Sequence, residues 1–264
     1  MRVLTLNLQH AAPARTAVDA GGPAGATTLD RAAEEIAATG ADVVLLQEVD
    51  RNLRRSGGLD QAATLAQRLG MAHRFAANIA GTRVGVPLPA RVSTPARGYG
   101  VALLTRLPVA TWHVMRLRGG GPRRRTGRPA WSPLGWTWDP TRVLLAAVLR
   151  TGAGPVSVGV THLSVRPDVA RRQLTAAAGA LLTLPGPHLL GGDLNLDAAA
   201  VASSEVVADG RLAPLAAGLT FTNARPRTQL DHLLASGLVA TGPAVVHHLS
   251  VSDHAGLSVD VHRS

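Results

Sequence analysis

The sequence predicts one mixed α/β domain. Short apolar runs with strand character alternate with amphipathic stretches of helical period, and Gly and Pro punctuate them regularly. No internal repeat or linker divides the 264 residues. A sheet-based core of this size often stays undivided, so residues 1–264 are expected to form a single domain. An apolar content of 46% is that of a compact chain rather than a disordered one.

The elements follow in order. A first strand is expected over Arg2 to Leu8. Its apolar run is interrupted by Thr5 and Asn7 and is shorter than a secretory signal requires, so it reads as a strand despite the Ala12-Pro13-Ala14 that follows. Thr28 to Thr39 predicts a helix with Thr27 or Thr28 as cap and Gly40 as stop. A strand over Asp42 to Gln47 and a helix over Leu59 to Leu69 come next. Further strands are expected at Tyr99 to Thr105, Arg142 to Leu149 and Val156 to Thr161. A helix from Asp168 to Leu182 starts after Pro167, whose fixed φ suits a first turn. His188 to Gly192, Gln229 to Ala235 and Leu257 to Val261 complete the strands. No segment reaches membrane-spanning length without a Pro or a charge, so the expected location is the cytoplasm.

Two stretches, Gly81 to Arg97 and Arg118 to Pro140, lack periodicity and are rich in Gly, Pro and Arg, which predicts long loops. The second sets Arg123, Arg124 and Arg125 shortly before Trp131, Trp136 and Trp138. Guanidinium and indole together can grip a phosphate while stacking on a base or sugar. The same residues also suit a solvated loop whose Trp side chains cap the core.

Composition narrows the chemistry. The chain has no Cys, which excludes disulfides, thiolate catalysis and Cys-ligated metal. Any metal must sit on oxygen or imidazole. The net charge of +10 comes from Arg without any Lys. Guanidinium matches phosphate in a bidentate fork, so nucleic acid, inositol phosphate and anionic lipid are all suitable partners.

The polar residues that carry chemistry stand where apolar strands end. Val3 to Asn7 delivers an amide, and Asp42 to Glu48 delivers a second amide and then a carboxylate. An ionised Glu after such a run needs a partner, and a bound cation is one. Gly191-Gly192-Asp193-Leu194-Asn195 combines close backbone approach with an acid able to take a proton from water and an amide able to steer it. Leu230-Asp231-His232 and Ser252-Asp253-His254 each couple Asp with His, the pairing that tunes an imidazole near neutral pH. His162 ends a further strand. Alternation along the strand turns His232 away from the face that Asp231 uses.

Taken in order, Thr5-Leu6-Asn7, Leu46-Gln47-Glu48-Val49, Gly100 to Arg106, Thr161-His162-Leu163, Gly192 to Asn195, Leu230-Asp231-His232 and Ser252-Asp253-His254 resemble the endonuclease/exonuclease/phosphatase family. Its members include DNase I-like nucleases, abasic-site nucleases, sphingomyelinases and inositol polyphosphate phosphatases. The resemblance implies a four-layer sandwich, two central mixed β-sheets flanked by helices, with a metal site at one rim. It further implies that Glu48 and Asn7 hold Mg²⁺ or Mn²⁺ with Asp253 nearby, and that Asp193 positions or deprotonates the attacking water. Asn195 then orients that water or the phosphate, His254 contacts the scissile phosphate with Asp231 orienting its ring, and His162 donates to a phosphate oxygen. One departure stands out: Gly98-Tyr99-Gly100-Val101 replaces the polar neighbour that relatives supply to the His162 position. No abasic-site signature surrounds Asn195.

The expected activity is therefore metal-dependent hydrolysis of a phosphate ester, a diester before a monoester, on nucleic acid or a phospholipid or inositol phosphate. Arg123, Arg124, Arg125 and Trp131 are the candidate substrate contacts. A dinuclear calcineurin-like phosphatase would need Asp-x-His near the start, Gly-Asp-x-x-Asp and Gly-Asn-His, which Gly191-Gly192-Asp193-Leu194-Asn195 and Ser252-Asp253-His254 do not supply. A binding protein on a retired enzyme fold would not need the full set of polar strand ends.

Overall fold

The fold was obtained as a computed structural model describing residues 1–14, 26–81, 87–89, 94–124 and 136–264. Its first half runs β1 (Arg2–Asn7), α1 (Ala26–Ala38), β2 (Val43–Arg51), α2 (Gln61–Leu69), β3 (Ala72–Gly81), β4 (Pro87–Pro89), β5 (Gly98–Thr105) and β6 (Val109–Leu117). A hairpin of β7 (Gly121–Arg124) and β8 (Trp136–Asp139) leads to β9 (Arg142–Thr151), β10 (Gly154–His162), α3 (Pro167–Leu181) and β11 (His188–Asp193). The short α4 (Ala198–Ala202) and α5 (Glu205–Ala208) precede β12 (Ala213–Pro214), β13 (Asp231–Ser236), β14 (Leu238–Ala240), β15 (Val245–His247) and β16 (Gly256–Arg263).

Two mixed sheets form the centre. The first has the order β14-β16-β1-β2-β5-β3-β4, with β15 also paired to β16, and the second β12-β13-β11-β10-β9-β6. Alternation sorts each strand's side chains between two cores. Val43 and Leu45 of β2 meet Val158 and Val160 of β10 between the sheets, whereas Val44 and Leu46 face α1 and α2. On the far side, Leu144 and Leu190 pack against Leu174 and Leu181 of α3. The result is the expected four-layer sandwich of helices, sheet, sheet and helices.

All eight expected strands and all three expected helices form, with ends displaced by a few residues. Helix α1 begins at Ala26, so Thr27 and Thr28 lie inside it rather than capping it; Gly40, at φ +68°, does end it. The expected loops are not wholly loops. Pro87–Pro89 pairs with β3, and the Arg-rich stretch forms the β7–β8 hairpin, in which Trp138 is 62% exposed and caps no core. Arg123 and Arg124 fall on β7, while Arg125 and Trp131 lie outside the described residues.

The topology places the site. The parallel pairs β1–β2 and β10–β11 lie in different sheets, and their C-terminal ends share one rim. Gly192 makes the second pair possible: at φ +142°, a Cβ on it would stand 1.9 Å from the Thr161 carbonyl oxygen. No helix among the described residues is long and apolar enough to cross a membrane.

Candidate active site

Asp193, the last residue of β11, is the hub of the rim. It is 2% exposed, and its Oδ2 accepts a hydrogen bond from Asn7 Nδ2 at 3.0 Å. His162 Nε2 lies 3.5 Å and His254 Nε2 3.8 Å from the same oxygen. Its Oδ1 accepts from the Asn195 backbone at 3.0 Å, a turn for which Asn195 takes φ +50°. The Asn195 side chain donates to the Leu163 carbonyl, and its own oxygen accepts no hydrogen bond among the described residues. Burial raises the Asp193 carboxyl most and the Asp231 charge adds to it; His254 and the donors Asn7 and Asn195 oppose them, for a net rise from 3.8 to about 7.

His254 is the cationic member. Its Nδ1 bonds Asp231 Oδ2 at 2.8 Å, and Asp231 is fully buried. Burial lowers the imidazole, but the Asp231 hydrogen bond and charge, with Asp193 and Asp253, outweigh it and lift His254 from 6.5 to about 9. His162 differs. Burial, then Arg142 and His254, hold it well below 6.5, and it stands as a neutral ring whose buried Nδ1 has no partner among the described residues.

Glu48 reaches the rim through a bulge. Pairing of β2 with β5 breaks between Leu46 and Val49, and Glu48 adopts φ +56° there. A left-handed non-Gly residue costs on the order of 1–3 kcal/mol and calls for a compensating gain. The bulge turns Glu48 away from the sheet alternation and brings its Oε1 within 3.2 Å of Asn7 Nδ2. Asn7 thus links the two carboxylates. Ser252, at φ +73°, shapes the last loop, in which Ser252 Oγ accepts from the His254 backbone and Gln9 Oε1 from the Asp253 backbone. Asn223 holds that loop from below through the carbonyls of Leu249 and Ser252.

Comparison with known proteins bears directly on this arrangement. Residues 4–254, nearly the whole chain, match the profile of the Endonuclease/Exonuclease/phosphatase family. The chain belongs to that family. No curated protein is a significant match. Among solved structures, an endonuclease/exonuclease/phosphatase from Beutenbergia cavernae is similar with 23% identity and TM-score 0.67, covering 100% of this chain and 72% of that one. A mannosyl-6-phosphatase from Bacteroides thetaiotaomicron aligns over 99% of both chains at 15% identity and TM-score 0.69. D. rerio TDP2, complexed with a single-strand DNA product, aligns over 99% of this chain and 98% of its own at 13% identity and TM-score 0.65. At these identities the likeness is one of fold. Family members are phosphoester hydrolases and generally use divalent metals.

The donor set at the rim fits such a metal. Glu48 offers a carboxylate oxygen, the hard ligand that Mg²⁺ and Mn²⁺ take, while Asn7 turns its Nδ2 toward it and its Oδ1 to the Gln9 backbone, so Asn7 would ligate through its oxygen with the amide turned over. Asp193, Asp231 and His254 also present ligand atoms within 4.8 Å of one another. Their mutual hydrogen bond commits His254 and Asp231 to each other, which makes that group an acid–base set before a metal cage.

The fold therefore gathers Asn7, Glu48, His162, Asp193, Asn195, Asp231 and His254 at one rim. Asp253 stands beside them, half-buried, and its charge acts on His254. His232 turns away as expected, its Nε2 2.8 Å from the Leu196 carbonyl oxygen. Sequence reasoning missed four neighbours. Phe221 packs on the His254 ring at 4.9 Å, and Gln9 and Asn223 hold the Asp253 loop. The fourth is Tyr99, the chain's one Tyr, whose hydroxyl is raised by burial and then by the charge of Glu48. Arg55 stacks over its ring at 5.1 Å and is clamped by the fully buried Asp50 at 2.7 and 2.8 Å. The Gly98-Tyr99-Gly100 spacing was the available signal.

Proposed function

We propose that this chain is a divalent-metal-dependent hydrolase of phosphate esters in which Asp193 takes the proton of an attacking water. The observation that carries the reading is the convergence of Asn7, His162 and His254 on one oxygen of a buried carboxylate whose affinity for protons is raised to about 7. A base poised near the working pH is the most effective proton acceptor. Asn7 and Glu48, with Asp253 near, would hold Mg²⁺ or Mn²⁺, which supplies Lewis-acid stabilisation of charge on the phosphoryl oxygens when bound. Asp193 removes the proton as the water attacks in line, and Asn195 orients the water through its free amide oxygen. His254, protonated and fixed by Asp231, donates from Nε2 to a phosphoryl oxygen. The neutral His162 donates a hydrogen bond rather than a charge.

Phosphodiesters of nucleic acid, or of phospholipid or inositol phosphate, are the proposed substrates, bound by one catalytic domain over residues 1–264. The abundant Arg and the β7–β8 hairpin carrying Arg123 and Arg124, with Arg125 and Trp131, would hold the substrate beyond its scissile phosphate. The mannosyl-6-phosphatase of the same fold favours a second reading, a phosphomonoesterase. Hydrolysis of bis(p-nitrophenyl) phosphate and of p-nitrophenyl phosphate, with Mg²⁺, Mn²⁺ or EDTA, tests both. Metal-dependent turnover that Asp193→Asn lowers roughly 100- to 10,000-fold supports the site. Full activity of Asp193→Asn at saturating metal would refute it, and monoester turnover alone would replace the diesterase reading.

A further inference from the structure

Arg142 opens β9 and is the only arginine among the described residues with a buried side chain, at 8% exposure. A guanidinium stays charged at any working pH, and a buried charge requires a partner. Other arginines of the fold have one: Asp50 clamps Arg55 and Asp260 clamps Arg2. Among the described residues Arg142 makes no ion pair, and its Nε is buried without a hydrogen-bond partner. Its backbone needs no help from the side chain, because β9 is paired with β6 on one side and β10 on the other.

The location of that charge is informative. β10 runs antiparallel to β9 with Thr161 opposite Leu144, so Arg142, two residues before Leu144, stands at the end of β9 that lies beside the strand end carrying His162, and its charge acts on His162 and on Tyr99 of β5. Tyr99 in turn neighbours Glu48. A buried cation stands at the rim of the site, and among the described residues what it lacks is an anion.

We propose that Arg142 binds the substrate's phosphoryl group, its planar fork donating to non-bridging oxygens. The assignment rests on the hydrolase reading above and adds a substrate-contacting residue to it. It also accounts for a peculiarity of this chain. His162 is held neutral by burial beside a permanent cation. Arg142 provides the positive charge on that flank, while His254 provides it on the other. Two N–H donors in one plane match two phosphoryl oxygens, which an imidazole cannot do.

Binding of inorganic phosphate to the Mn²⁺-loaded protein by calorimetry tests this. Arg142→Met should weaken phosphate binding roughly 10- to 100-fold, the loss typical of a charge-assisted hydrogen bond, with Mn²⁺ affinity and melting temperature unchanged. Arg142→Lys, which keeps the charge and loses the fork, should fall between. Unchanged phosphate affinity in a folded Arg142→Met protein would overturn the assignment. Should Arg142→Met fail to fold, the Nε–H resonance of Arg142 in the wild-type protein, identified by its loss in Arg142→Lys, decides. It should shift on phosphate addition, and an unmoved resonance overturns the proposal. A wild-type protein that binds phosphate through Arg142 but hydrolyses no ester supports the assignment and refutes the hydrolase reading alone. Turnover with an unaltered KM in Arg142→Met refutes the assignment alone.

Discussion

Asp231→Asn removes a carboxylate that lies 2.8 Å from His254 Nδ1 and leaves a side chain of nearly the same shape. His254 is lifted from 6.5 to about 9 against the opposing effect of burial, and Asp231 supplies the two foremost raising contributions. Without it, only the charges of Asp193 and Asp253 resist burial, so the imidazole should return to 6.5 or below. A fall of about 2.5 units corresponds to about 3 kcal/mol in the balance between the two protonation states. At pH 8 a group titrating near 9 is about 90% protonated and one near 6.5 about 3%, roughly a thirtyfold loss of the cation. Phosphoester turnover at pH 8 should fall by about that factor and partly recover as the pH is lowered toward 6. The His254 ring resonance, followed by NMR through a pH titration of wild type and variant, measures the shift itself. A resonance titrating at the wild-type value in Asp231→Asn, or an equal loss of rate at pH 6 and pH 8, would refute the reasoning.

Stability of the metal-free protein should fall as pH rises. Asp193, raised from 3.8 to about 7, contributes stability that is present below its unfolded value and lost through pH 7, and His254 contributes stability present below 6.5 and lost through pH 9. Melting in EDTA across pH 5 to 9 should show that decline, and a flat profile would contradict it. Added Mg²⁺ or Mn²⁺ should raise the melting temperature most at the alkaline end, where the carboxylates are ionised. Gly192→Ala should yield no correctly folded protein, because a Cβ 1.9 Å from the Thr161 oxygen forces β10 and β11 apart at the site; soluble variant with wild-type melting and activity would show the strands to be more yielding.

What could be read from the chain without its fold was whatever depended on local order. An apolar run ending in Asn7, Glu48, His162 or Asp193 announces a strand that carries a polar group to an edge, and Pro167 announces the start of α3. The edge strand β6 was not legible. Its exposure runs from half-buried to open across most of Val109–Leu117, so no alternation marks it, and it is fixed by pairing with β9. Strand β3 was hidden for a related reason: Ala72-His73-Arg74 exposes its first three residues, and Ala76 and Ala77 are small because β5 passes close to them. In the Arg-rich stretch, the β7–β8 pairing joins segments separated by eleven residues, a separation no turn signature announces.

The same distinction separates the parts of the site. Glu48 was visible as a carboxylate after a strand, but its aim depends on a left-handed bulge, and nothing in Gln47-Glu48-Val49 specifies φ +56°. The specification comes from the far side of the sheet. Asp50 and Tyr99 are register partners across β2 and β5 just beyond the bulge, and Asp50 holds Arg55 against the Tyr99 ring while the Glu48 charge acts on the Tyr99 hydroxyl. Each of those residues is unremarkable in sequence. Together they brace the first carboxylate of the site from behind, as Asn7 braces it from the front, so the strain of the bulge is met by contacts that only the folded sheet provides. Arg142 belongs to the same class: in sequence it only opens an apolar strand, whereas in the fold it is a buried cation at the end of β9 beside the strand end that carries His162.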